Sequence, residues 1–315
     1  MIRYIAQRLV SSIPVVLLVM LISFSIMHLV PGDPAAVMAG PSATFAQLEA
    51  MRHQLGLDQP LPVQFAVSFG GLLKGDLGQS ILLGRSVSQA IADRLPVTMA
   101  LTLFSFALTV VFGIPTGIIA AMRQNSWIDQ LAMTLALLGV SLPNFWLGLM
   151  LISLFSVMLD LLPSGGYVPL TSDPVRWFAS LILPSISLAL LQVGWLARIT
   201  RSTMLEILRQ DYVRTARAKG MPEITVIGKH AAKNVLVPVT TVLGIIVSLL
   251  LSGSVVIETV YSLPGLGRLI ATSIFSRDYP VIQGGLLVTA VMFVFLNLVV
   301  DVLYAWVDPR VRYDT

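Results

Sequence analysis

With 315 residues, 56% apolar and only 11% charged, and a mean hydropathy of +0.86, the chain departs from soluble domains, where about a quarter of residues carry charge. Its formal charge of +4 belongs, in a membrane protein, to loops enriched in Lys and Arg rather than to a nucleic-acid surface. The absence of cysteine excludes disulfides, thiolate metal sites and a cysteine nucleophile.

The apolar residues gather into blocks long enough to cross a hydrocarbon layer of roughly 30 Å. The first, 9–30, follows Arg3 and Arg8. It is too long for a signal-peptide core and ends at Pro31-Gly32-Asp33-Pro34 without a cleavage site, so it reads as an uncleaved helix. Residues 31–95 are too polar to span and are expected to fold as an extracytoplasmic cap. Within them, Thr44–Gln47 is a capping box for a short helix through Leu55, with Phe45, Leu48 and Met51 on one side. Ser86–Gln89 is a second box, with Val87, Ile91 and Leu95 four residues apart, and glycine-rich turns at 70–78 separate the two.

Five further spans follow: 97–121, 131–158, 178–199, 235–257 and 281–305, all within one transmembrane domain covering 1–315. The second holds Gly113 and Gly117 at a spacing that lets helix backbones approach, either in a dimer seam or within the bundle. The third is interrupted at Ser141-Leu142-Pro143-Asn144. The expected class is therefore an all-α polytopic membrane protein with six transmembrane helices. Basic residues orient it. Arg3, Arg8, Arg123, Arg310, Arg312 and the eight basic residues between 198 and 233 fall on one side; the short loops opposite hold only Arg176, Arg268 and Arg277. Both termini are expected in the cytosol.

Residues 200–234 form the long cytosolic loop. Thr203–Glu206 reads as a capping box, and Asp211 as the N-cap of a short helix ending near Lys219. Gly220 then suits a left-handed C-terminal turn, and Met221 leads to Pro222 and Glu223, which open another helix. Arg214, Arg217 and Lys219 surround a strip of small residues, Thr215, Ala216 and Ala218, which admits a partner surface closely. The charge alone would favour contact with anionic lipid head groups, whereas the helix–Gly–helix arrangement with its small-residue face points to protein docking.

Polar side chains inside the spans are the candidate pathway: Ser141, Asn144, Gln192, Ser248, Ser252 and Glu258. Glu258 could meet a substrate's amino group or pair with Arg268 or Arg277 at the surface. Asp301 reads as structural. No GxxxxGK[ST] loop occurs, since Gly228-Lys229-His230 lacks the earlier glycine and the hydroxyl. His28 near Ser23 and Ser25 is no persuasive protease pair. The three histidines, His28, His53 and His230, are spread across both sides, which argues against zinc. No catalytic or metal residue is assigned.

The run Asp211–Gly220, followed by His230–Pro238, resembles the cytosolic loop of dipeptide and oligopeptide permeases, membrane subunits of ATP-binding-cassette importers. Gly220 and Ala216 match the wider family's Glu-Ala-Ala-x-x-x-Gly loop, while Arg214 and Thr215 replace its Glu and first Ala, as in the peptide branch. Also similar are Pro31–Pro34, Leu55–Leu61, Gly75–Gly78, Pro264–Arg268, Arg277–Gln283 and Asn297–Tyr304 with Asp308–Arg310, so the likeness covers nearly the whole chain. The outer loop at 160–177 looks most like the glutathione permeases. The resemblance implies a type I importer permease in a bacterial inner membrane, forming half of a pore with a second, homologous permease. It implies two ATPase subunits holding ATP and Mg²⁺ below, docked on a coupling helix at about 212–220 and on the flanking Asp211 and Met221, and an extracytoplasmic substrate-binding protein above. It further implies an outer gate or binding-protein dock at Pro264, Gly265, Arg268, Arg277, Asp278 and Tyr279. Nickel chelates, opines or oligosaccharides are alternative cargoes for the same scaffold. A stand-alone secondary transporter would instead call for repeated broken helices and midplane charges, of which this sequence has few.

Overall fold

The computed structural model describes residues 2–29, 35–36, 43–54, 56–80 and 82–307; the expected turn at Pro31–Pro34, Leu55 and the Asp308–Arg310 run lie outside the described residues, as do the side chains of His28 and Asp301. Among the described residues the regular structure is helical, apart from one isolated bridge between Gln79 and Ser86. Helix α1 is Ile2–Leu29, α2 Phe45–Gln54, α3 Leu61–Leu73, α4 Val87–Met122, α5 Trp127–Ser141 and α6 Asn144–Met158. Then follow α7 Pro174–Leu208, α8 Asp211–Ala218, α9 Glu223–Val260, α10 Leu266–Ser276 and α11 Tyr279–Val307. Five of these (α1, α4, α7, α9 and α11) are long and apolar enough to cross a membrane, and α5 with α6 makes a sixth span if the pair counts as one. The chain is an all-α, polytopic membrane protein.

The third span is broken rather than kinked: α5 and α6 meet at 103°. Proline is the cause. Pro143 disfavours the helical region for the residue before it, and Leu142 sits extended at φ −90°, ψ 130°. Helix α7 has a well-made start, because Pro174 occupies its first turn and the Asp173 carboxylate accepts the N–H groups of Val175 and Arg176, both at 3.0 Å.

Two compact units are distinguishable, one built on Val97–Pro264 with the described parts of 1–8 and 293–315, the other on Leu9–Pro96 with Gly265–Met292. In the first, α7 is the most buried of the long helices. Leu181, Leu196 and Met204 on it pack with Leu101 of α4 and with Val235, Ile246, Leu250 and Ile257 of α9. Within a bilayer, lipid is as apolar as leucine, so contact between helices comes from close packing rather than from water exclusion. Small residues therefore decide where helices touch. A Cβ on Gly117 would lie 2.5 Å from the Ala197 carbonyl oxygen and 2.6 Å from Thr200 Cβ. The Gly113/Gly117 pair thus seats α4 on α7 of the same chain, which accounts for the spacing without a dimer seam. Gly194 does the same for α7 against Ala136 of α5.

In the second unit, the Thr44–Gln47 box closes as expected: Thr44 N–H donates to Gln47 Oε1 (2.9 Å) and Gln47 N–H to Thr44 Oγ1 (3.4 Å). Phe24 meets Phe65 edge-on at 5.3 Å. Two expectations need correction. Gly70 and Gly71 lie inside α3, which Pro62 helps to start, so only Gly75 and Gly78 form turns, at φ 77° and 83°. The Ser86 box opens no separate helix. It starts α4 itself, because Val87, Ala90 and Ile91 are buried and the helix has no reason to stop before the span.

Candidate docking helix and polar pathway

Helix α7 runs unbroken to Leu208, so Thr203–Glu206 is helix interior and caps nothing. Met204 is fully buried, and Ile207 and Leu208 pack on the same core, so the apolar stripe holds the helix together past that point. The next cap position is Gln210 (φ −72°, ψ 148°), which makes Asp211 the first residue of α8 rather than its N-cap. One carboxylate in the first turn still suits the helix dipole.

Helix α8 has two faces. Val213 and Ala216 are buried against Ile207, Leu208, Met221 and Val226. Ala216 therefore belongs to the chain's own core and not to an outward strip of small residues. Asp211, Tyr212, Arg214, Thr215, Arg217, Ala218 and Lys219 are exposed. The helix closes as a Schellman motif: Gly220 N–H donates to Arg217 O (2.9 Å), Met221 N–H to Ala216 O (3.4 Å), and Gly220 takes φ 74°. Met221 completes it by packing on Ala216.

Two further links hold α8 to α9. Arg217 forks onto Glu223, with Nη2 to Oε1 at 2.6 Å and Nε to Oε2 at 3.2 Å. Hydrogen bonding to this carboxylate raises the Arg217 guanidinium above its ordinary pKa, against an opposing effect of burial. Asn234 Nδ2 donates to Tyr212 Oη (2.8 Å) and to His230 O (3.0 Å). Arg217 is therefore committed to the corner, and Arg214 lies 3.7 Å from Asp211. Lys219 makes no ion pair among the described residues. The corner is thus held by packing, a helix-closing turn and hydrogen bonds together.

A second, more buried ion pair has no signal in the sequence. Arg201 Nε and Nη2 donate to the two Asp129 carboxylate oxygens at 2.5 and 2.6 Å, joining α7 to the first turn of α5 across 72 positions. Asp129 is 3% exposed and also accepts the Asn125 N–H at 2.9 Å.

The expected pathway residues separate. Glu258 is fully buried, not at the surface, and accepts a hydrogen bond from Thr98 Oγ1 at 2.6 Å. Gln192 is buried with its Oε1 unpartnered. Ser248 donates to Gly244 O and lies 3.4 Å from Asn297 Nδ2. Half-buried Asn144 faces Gly253, where an added Cβ would come 3.4 Å from its Nδ2. Ser141 is exposed and bonded to its own helix at Leu137 O, and Ser252 is exposed. Sequence reasoning missed Tyr261, whose buried hydroxyl lies 2.8 Å from Ser187 Oγ and donates to Gly148 O at 3.1 Å, joining α9 to α6 and α7.

Among the expected gate residues, Asp278 and Tyr279 are buried rather than presented. Asp278 Oδ2 accepts from Ser80 Oγ (2.5 Å) and from the Leu82 N–H (3.3 Å). Gly265 is buried and Pro264 and Arg268 are half-buried, whereas Arg277 is exposed in the left-handed region at φ 57°. The chain turns there to start α11. Among the described residues, no three His, Asp or Glu side chains converge on a metal site.

Comparison with known proteins agrees across the chain. Residues 113–313 match the model of the binding-protein-dependent transport system inner membrane component, and residues 1–102 match that family's N-terminal model. A Brucella abortus (strain 2308) protein whose given name is that of a peptide transport system permease is 52% identical over 310 residues, covering 98% of this chain and 99% of the relative. The glutathione transport system permease protein GsiC of Salmonella typhimurium is 45% identical over 313 residues, covering 99% of this chain and all of the relative. Among solved structures, an inward-facing form of the MetNI methionine ABC transporter matches with a TM-score of 0.57 at 18% identity, over 70% of this chain and 97% of that one. That likeness is one of fold.

Proposed function

The chain belongs to the family of binding-protein-dependent transport system inner membrane components, and from that membership we propose that it imports di- and oligopeptides as half of a paired pore. As a permease subunit of an ABC importer, it leaves ATP hydrolysis to separate subunits. Its setting is the inner membrane, and we place both termini in the cytosol on the asymmetry of basic residues. A second, homologous permease completes the pore. Two ATPases holding ATP and Mg²⁺ dock on the exposed face of α8, and an extracytoplasmic binding protein delivers cargo from the opposite side.

The observation that carries the coupling role is the braced corner at α8. A helix of eight residues closed by Gly220, packed through Val213 and Ala216, and forked to α9 by Arg217 and Glu223 is tied to α9 by packing and hydrogen bonds together. A push on it moves α9 as a body, which is what a rigid-body switch between inward-open and outward-open states requires. The peptide assignment is supported by relatives named for peptide and glutathione transport, glutathione being itself a tripeptide.

Because the chain has no cysteine, single cysteines report cleanly. Ala218→Cys should cross-link to the co-expressed ATPase, and Leu137→Cys, on an exposed apolar position, should not. Uptake by the reconstituted complex should require ATP and the binding protein. Uptake driven by an ion gradient without an ATPase would refute the reading. Competition for the binding protein between dipeptides, longer peptides and glutathione decides the cargo.

A further inference from the structure

Helices α4, α5 and α7 enclose a groove of about 390 Å³ that no part of the proposed transport cycle uses. Ala197 and Val193 of α7 form its floor, Phe112 and Thr116 of α4 one wall, and Ala132 and Leu135 of α5 the other. Thr116 is the only polar side chain lining it. The groove opens outward, since Phe112 and Leu135 are 56% and 58% exposed. Such a surface is incomplete as it stands, because apolar side chains packed on one side only forgo contacts on the other.

One end of the groove is different. Arg201 lies four residues beyond Ala197 and Asp129 three residues before Ala132, and these two neutralise each other. Arg123 follows Thr116 by seven residues, two turns along the same stripe, and its N–H still bonds Ile119 O, which keeps it on the helical ladder. Its side chain is exposed and makes no ion pair among the described residues. Trp127, 70% exposed, opens α5 at the same end. An exposed aromatic ring and a cation without an ion pair at one end of a groove are the composition of a membrane–water interface. From Leu108, deepest on the α4 wall, to Arg123 is fifteen residues, about 22 Å of helix and so more than one leaflet's half of the roughly 30 Å hydrocarbon layer.

We propose that this groove is a binding site for an anionic phospholipid, with one acyl chain against Val193 and Ala197 and the phosphate on Arg123. The unpaired cation selects the headgroup, and the apolar walls select the chain. A bound chain would also complete the packing of α5 on α7 beside the Asp129–Arg201 pair. The site rests on the membrane-spanning reading alone and is independent of the cargo.

The test uses the whole purified transporter, delipidated in detergent and titrated with phosphatidylglycerol or phosphatidylcholine of identical chains, read by native mass spectrometry. One cation near an anionic headgroup contributes about 1 kcal/mol, so retention of phosphatidylglycerol should exceed phosphatidylcholine about fivefold. Arg123→Gln, at an exposed position, should abolish that preference while leaving chain binding intact. Ala132→Phe, which fills the groove, should remove both. Equal retention of the two lipids by the wild type, or an undiminished preference in Arg123→Gln, overturns the proposal. Leu135→Cys carrying a benzophenone should form a lipid adduct on irradiation; an adduct to the second permease or to another copy of this chain overturns it as well.

Discussion

Replacing Arg201 by glutamine would leave the Asp129 carboxylate, 3% exposed, without its charged partner. The pair loses two short bonds of 2.5 and 2.6 Å, and removing one member of a buried pair costs about 3–5 kcal/mol because the remaining charge stays desolvated. Two features put this case at the low end, near 3 kcal/mol: the Arg201 side chain is 24% exposed, so water can reach the site, and Asn125 N–H still donates to Asp129 at 2.9 Å. Asp129→Asn should cost less, about 1–2 kcal/mol, because the freed guanidinium can turn towards solvent and the amide keeps part of the bonding. If the two residues act as a unit, the double variant loses about 3 kcal/mol rather than the sum of 4–5, a coupling of 1–2 kcal/mol. Unfolding of the detergent-purified transporter in increasing sodium dodecyl sulfate, followed by tryptophan fluorescence, measures all four corners of this cycle. Losses that add to within about 0.5 kcal/mol would refute the reasoning, since independent sites behave in that way.

At Gly220, φ 74° penalises a β-branched side chain, so Gly220→Val should destabilise by about 1–2 kcal/mol and uncouple ATP hydrolysis from uptake. Gly220→Asn, which tolerates the left-handed region, should retain most coupled transport in the same vesicle assay. Gly117→Val forces a Cβ to within 2.5 Å of Ala197 O and should cost about 1–3 kcal/mol by prying α4 from α7, visible as a lower melting temperature. Gly228→Ala meets nothing within 4 Å and serves as the control. Thr98→Val takes a hydrogen bond from fully buried Glu258 and should cost about 1.5–3 kcal/mol in the unfolding titration, most of it recovered by Thr98→Ser.

Much of this protein is determined by its sequence alone. Blocks of twenty or more apolar residues cannot remain in water, and they make the class unmistakable from hydropathy. The Gly220 turn was legible for a local reason: a residue that accepts positive φ, after a cation and before Pro222, ends one helix and permits the next. The Thr44–Gln47 box was equally local. Where local signals and packing disagreed, packing prevailed. Thr203–Glu206 has the letters of a cap, but buried Met204 carries α7 through it. Ser86–Gln89 caps a helix that continues into the span because Val87, Ala90 and Ile91 have a core to enter.

The polar constellation was hidden for a different reason. Asp129 and Arg201 are 72 positions apart, Thr98 and Glu258 160, and Ser80 and Asp278 198, and no periodicity encodes such pairings. Only the tertiary structure decides them, because a charge or hydroxyl inside a bundle must find whichever partner the helix packing brings within 3 Å. The same packing turned Ala216 inward and left Tyr212, Arg214 and Lys219 outside, so that the sequence located the short helix before Gly220 and the fold chose which face it exposes.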